Sequence, residues 1–204
     1  MNTKDRILNE ALRLFAAKGY GAVSVEQIAD AVGIKAPSLY KHYKGKRDIF
    51  NSIVKRMEEM DAEEAQEADM PEETAEANPE SYEDVDLESI RIFSKSMFSH
   101  WTEEEFSANF RRMLTLEHFA DPEMARLYQQ YLGSGPLDYM ADVFCALAQD
   151  RAEAYNMALE FYGPMHLLYS VYDGAEDKKS VVKSCCSYID SFIDKLQAAE
   201  KIKE

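Results

Sequence analysis

Two short amphipathic segments that meet at a glycine constrain this chain more than any other feature. Ser24-Val25-Glu26-Gln27 reads as a capping box, in which serine and glutamine side chains satisfy each other's orphan backbone N–H groups at a helix start. Behind it Val25, Ile28, Ala29 and Val32 recur at helical spacing, and Gly33 ends the segment. Pro37 suits the first turn of a further helix, expected over residues 38–43, because the amide it lacks would go unpaired there anyway. Helices joined so tightly at Gly33-Ile34 form a helix-turn-helix, whose second helix fits a major groove.

The rest of the chain reads as helix too, so the fold class is all-α. Thr3 is expected to cap a first helix carrying Ile7, Leu8, Ala11, Leu12 and Phe15, with Gly19 as its stop. A fourth helix follows Gly45 and puts Ile49, Phe50, Ile53, Val54 and Met57 on one side. From Met57 to Ile90 there are fifteen acidic residues and no basic one, which reads as a solvated helix end plus a loop broken by Pro71 and Pro79. Further on, Thr102-Glu103-Glu104-Glu105 matches a second capping box and Asp121-Pro122 another helix start. Gly133-Ser134-Gly135-Pro136 is expected to be a loop, and Gly163-Pro164 to kink or briefly break an apolar helix. The boundaries that follow are 1–46 for a three-helix N-terminal domain and 47–204 for a helical body, with an acidic loop near 66–80.

A net charge of −15 over 204 residues argues against a polyphosphate partner if it is averaged over the chain. Residues 1–56, however, hold eleven basic and five acidic side chains, a charge of +6, which leaves −21 for the remainder. Such asymmetry assigns different tasks to the two parts. The polar residues left outward on the basic part are Lys35, Ser38, Lys41, His42 and Lys44, with Lys46 and Arg47 just beyond. Cations and small hydroxyls at a helix start are what phosphate and base-edge contacts need.

The stretch from Ile7 to Phe50 closely resembles the DNA-binding domain of TetR-family transcriptional regulators. The resemblance rests on Ala11-Leu12-Arg13-Leu14-Phe15, Lys18-Gly19-Tyr20, Ser24-Val25-Glu26-Gln27-Ile28-Ala29, Val32-Gly33-Ile34, Ser38-Leu39-Tyr40, His42-Tyr43 and Lys46-Arg47-Asp48-Ile49-Phe50. It implies a homodimeric, ligand-responsive repressor on a palindromic DNA operator, with residues 47–204 serving ligand binding and dimerisation. By the same resemblance Tyr40 and Lys46 contact phosphates and His42 lies in that contact region. Lys35, Ala36, Pro37 and Ser38 form the turn that reads base edges, and Ser24 and Lys41 complete the DNA-binding set. Tyr43 falls at a packed aromatic position. Two departures stand out: Lys35 replaces the usual capping Ser or Thr, and Gly45 replaces a common Ser, which costs a few tenths of a kcal/mol.

In the body, Val182, Cys185, Ile189, Phe192 and Leu196 recur at spacings of three and four, as do Tyr155, Leu159, Tyr162 and His166. These seams suit either an intramolecular core or the two-helix dimer face that the resemblance implies. The body also holds every methionine except Met1 and most of the aromatics. Phe98, Trp101, Phe110, Met113, Tyr128, Tyr131, Tyr162 and Tyr169 are its candidate pocket for a small-molecule effector. The residues leave open a body that answers to a protein partner, and an all-helical enzyme. Against the enzyme stand the absence of Glu-x-x-His, of His-Glu-x-x-His, of a phosphate-cradling glycine loop and of Cys-x-x-Cys. No metal or cofactor is expected, and no catalytic residue. With no apolar run after Met1, no segment long enough for about 30 Å of hydrocarbon and only three cysteines, the expectation is a soluble, reduced, cytoplasmic chain without a membrane partner.

Overall fold

Apolar residues at helical spacing become helices throughout the computed structural model, which describes residues 2–71, 75–82 and 85–203. Among the described residues there are ten α-helices, a 3-10 turn (Pro79–Tyr82) and no strand. The helices are α1 (Thr3–Lys18), α2 (Val25–Val32), α3 (Ala36–Leu39), α4 (Lys46–Glu67) and α5 (Leu87–Glu103). They continue as α6 (Glu105–Glu117), α7 (Pro122–Leu132), α8 (Ser134–Phe144), α9 (Arg151–Gly174) and α10 (Lys178–Lys203). The chain gathers into two units, Met1–Asp61 with Glu104–Tyr128, and Ala62–Glu103 with Gln129–Glu204.

In the first unit, α1 buries the predicted Ile7, Leu8, Ala11, Leu12 and Phe15. Its cap is Asn2 and not Thr3: the Asn2 side chain accepts the Asp5 N–H at 2.9 Å, so Thr3 is already the first helical residue. Gly19 ends the helix with φ at +84° and its N–H on the Phe15 carbonyl. The positive φ is what favours glycine there, and the end of the flexible Glu117 side chain lies against it. Helix α6 packs against α1 and buries Phe106, Ala108, Phe110, Met113 and Leu114. Asp121 caps α7 by accepting the Glu123 and Met124 amides at 2.8 and 3.2 Å.

The second unit is built from α5, α8, α9 and α10 around Phe98, Phe144, Phe161, Cys185, Ile189 and Ile193. Arg91 on α5 holds α10 through Asp190 at 2.8 Å and Asp194 at 2.7 Å, and Lys95 adds a second cation to Asp190 at 2.6 Å.

Two local expectations are corrected, and of the kink or break expected at Gly163-Pro164 the break is absent. Thr102 is buried inside α5, and its hydroxyl donates to the Phe98 carbonyl at 2.6 Å, so it is spent and cannot cap α6. Gly133-Ser134-Gly135-Pro136 is not a loop but the start of α8, reached directly from α7. The glycines are there for proximity, since a Cβ on Gly135 would strike the Gln130 carbonyl oxygen. Helix α9 runs unbroken through Pro164. The proline supplies no amide for the Glu160 carbonyl one turn back, and the Tyr188 hydroxyl of α10 donates to that carbonyl instead, at 2.5 Å.

Candidate nucleic-acid interface

The capping box at the head of α2 forms as the sequence requires: the Ser24 hydroxyl accepts the Gln27 amide at 3.3 Å and Gln27 accepts the Ser24 amide at 2.8 Å. Gly33 adopts the left-handed conformation at the end of α2, φ +76°, and the Ile34 amide turns back to the Ala29 carbonyl at 2.9 Å. Helix α3 is shorter and earlier than predicted. It spans Ala36–Leu39, because Pro37 permits an early start, and after Leu39 the chain continues to Tyr43 in isolated turns. Lys35 stands at its N-cap without a side-chain cap bond, as its lack of a hydroxyl foretold.

Two buried side chains anchor this short segment. Leu39 is fully buried, and Tyr43 is sunk into the unit with its hydroxyl donating to the Lys4 carbonyl at 3.3 Å. Burial, aided by Asp5 and Asp48, pushes the Tyr43 phenol up to about 12, so it remains a donor at any ordinary pH. Arg6 ties α1 to the end of α2 by donating to the Val32 carbonyl at 2.7 Å.

Outward from these anchors lie Lys35, Pro37, Tyr40, Lys41 and His42, all exposed, with Ala36 and Ser38 half-buried between them. Tyr40 is 53% exposed although large and apolar, which a packing role would not leave so open. Ser24 is exposed at the α2 start but uses its hydroxyl as the cap. Lys46 is half-buried and engaged within the chain. Its ammonium donates to the Tyr20 and Val23 carbonyls, both at 2.8 Å, and sits 4.4 Å above the Tyr20 ring. It clamps the α1–α2 connection to the head of α4.

The other predicted sets divide. Phe98 stacks on Tyr169 with centroids 5.3 Å apart, and Trp101 lies 6.0 Å from Tyr131, all in the second unit. Tyr162, in the same unit, is buried and donates to the Leu132 carbonyl at 3.1 Å. Phe110, Met113 and Tyr128 belong to the first unit, where Tyr128 stacks on His118 at 4.1 Å. A cleft of about 300 Å³ lined by Leu87, Ile90, Val143, Leu147 and Gln197 includes none of these candidates. Sequence reasoning treated the acidic run as solvated and so missed Glu64. That carboxylate accepts a short hydrogen bond from Ser96 and lies 3.7 Å from the buried His100 ring. Extending the buried side of α4 beyond Met57 by helical steps leads to Asp61, Glu64 and Ala65, which was the available signal.

Along the seams, Cys185 and Ile189 are fully buried within the chain, while Val182, Phe192, Leu196 and His166 are half-buried. Phe192 packs 4.9 Å from Phe161, facing inward. Tyr155 and Leu159 are exposed, and so are two residues the sequence reading missed, Leu167 at 63% and Val171. With Gly163 they follow one another every four residues, the spacing of a helix-packing ridge. Among the described residues no group of three or more His, Cys, Asp and Glu is placed to hold a metal, and no helix is long and apolar enough to cross a membrane.

Comparison with known proteins agrees with this geometry. Residues 7–53 match the family model for bacterial regulatory proteins of the tetR family. Over 52 residues the chain is 42% identical to IcaR of Staphylococcus aureus, the HTH-type negative transcriptional regulator of the biofilm operon icaADBC. The match covers 26% of this chain and spans 28% of the length of that relative. The whole fold is similar to a TetR-family regulator from Marinobacter aquaeolei, with TM-score 0.64, 20% identity and 98% of both chains covered. It is also similar to SmeT of Stenotrophomonas maltophilia in complex with triclosan, with TM-score 0.64, 14% identity, and 95% of this chain and 91% of that one covered.

Proposed function

We propose that this chain, which belongs through residues 7–53 to the tetR family of bacterial regulatory proteins, is a transcriptional repressor that grips a palindromic operator as a homodimer and answers to a small-molecule effector. One observation carries the reading: the exposed edge from Lys35 to His42, held rigid by buried Leu39 and Tyr43, lies on a segment of net charge +6. Lys41 and Tyr40 supply phosphate contacts, and the Lys35–Ser38 turn meets base edges. Because Ala36 and Pro37 bring no side-chain hydrogen bonds, sequence preference rests largely on DNA shape.

A helix-turn-helix reads half a palindrome, so the function calls for two copies. The ridge Tyr155, Leu159, Gly163, Leu167 and Val171 on α9 is the surface we assign to the second copy, since an i, i+4 ridge fits the groove of a crossing helix and Gly163 permits close approach. SmeT, to which the fold is similar, is known in complex with triclosan. The aromatic pairs Phe98–Tyr169 and Trp101–Tyr131, the second beside His100, support an effector site in the second unit.

Selection of bound duplexes from a random pool at two salt concentrations tests the reading. The expected product is a palindrome whose half-sites are centred about 34–36 Å apart or a multiple of that distance. Absence of enrichment, or a lone half-site, would contradict it.

A further inference from the structure

Two cations open α4, and both are engaged within the chain. Lys46 holds the Tyr20 and Val23 carbonyls. Arg47 presents its guanidinium fork to Glu123 on α7, donating to one carboxylate oxygen from Nη1 and to the other from Nη2, each at 2.5 Å. Glu123 is itself positioned, because its amide and that of Met124 are held by Asp121, and Arg126 approaches the same carboxylate at 3.9 Å. The Arg47 guanidinium rests 5.2 Å from the Phe50 ring centre, yet its side chain remains 56% exposed.

A two-pronged carboxylate occupies the guanidinium in the same way as a phosphate of the DNA backbone. Half-exposed ion pairs gain little net energy, so such a partner is readily exchanged for another anion. We propose that Glu123 is an intramolecular phosphate mimic: it masks Arg47, which follows the DNA-contacting edge in the sequence, and thereby lowers the protein's affinity for duplex DNA. This rests on the DNA-binding function proposed above. The mask belongs to α7, so displacement of α7 would unmask a cation on α4 without refolding either helix.

The test uses full-length protein and a fluorescein-labelled duplex of mixed sequence, with Kd measured by anisotropy over a series of KCl concentrations. Wild type should bind with a finite salt slope. Glu123→Gln should bind several-fold more tightly at low salt and steepen the slope of log K against log [salt] by about one, the contribution of one added phosphate contact. Arg47→Gln alone should leave the slope unchanged, and the double variant should return to wild type. Arg47→Lys, which keeps the charge but loses the fork, should also bind more tightly than wild type. Thermal melts of each variant report folding. Unchanged or weaker binding by Glu123→Gln, or a shallower slope for Arg47→Gln in the presence of Glu123, would overturn the mask while leaving DNA binding intact. Failure of wild type to bind at any salt would remove the DNA-binding function itself, and the mask with it.

Discussion

Pro164 leaves the Glu160 carbonyl without its helical donor, and the Tyr188 hydroxyl takes the vacant place at 2.5 Å. Burial, with Glu160 adding to it, pushes that hydroxyl up to about 12, so it stays protonated and donating. Tyr188→Phe should therefore cost about 1 kcal/mol in urea unfolding, the scale of one lost hydrogen bond. In a Pro164→Ala background, where residue 164 supplies its own amide, most of that cost should vanish. Equal costs in both backgrounds would show that the hydroxyl does not stand in for the missing amide. The sequence allowed a break at Gly163-Pro164 because the compensating donor lies on a different helix, beyond any local pattern. Gly19 repeats the lesson. Its role as a helix stop was legible from the α1 pattern, but the Glu117 carboxylate lying against it was not.

Helix pairing in the second unit depends on charge as well as packing. Lys95, then Arg91, hold the Asp190 carboxyl below its usual range, and both cations come from α5 while Asp190 belongs to α10. A carboxyl with a depressed folded pKa adds stability that is present above its unfolded value and lost as pH falls through the folded one. Asp190→Asn should lower the melting temperature at pH 7, and the gap from wild type should close as pH drops below about 4. A gap that persists or widens in acid would contradict the pairing. At this scale the long apolar stripes of α1, α4 and α10 were readable, because periodicity over several turns reflects the buried face directly. Short elements were not. The four-residue α3 starts where Pro37 allows, and Gly133–Pro136 became a helix start because its glycines answer to Gln129 and Gln130 on the preceding helix.

Across the whole chain, a −15 total conceals +6 over residues 1–56 and −21 over the remainder, so the basic excess lies on the segment that carries the proposed DNA-contacting edge. The exposed residues Lys35, Tyr40, Lys41 and His42 were legible from the family resemblance. The clamp made by Lys46 was not, since only the folded chain brings it to the Tyr20 and Val23 carbonyls. The assembly was legible only in part. Tyr155 and Leu159 lie outward as a second copy requires, whereas Cys185 and Ile189 are consumed by the chain's own core. Leu167→Glu should shift sedimentation at micromolar concentration from dimer to monomer without lowering the helical signal. An unaltered dimer would move the interface off the α9 ridge.

On the proposed function, the edge between Lys35 and His42 holds DNA. Equilibrium binding of the full-length protein to a duplex recovered by selection, wild type against Lys35→Ala/Lys41→Ala, measures it directly. The variant is expected to melt like wild type, to bind at least about tenfold more weakly, and to show a salt slope shallower by about one, for the lost phosphate contact of Lys41. Undiminished affinity with an unchanged slope would place the DNA on another surface.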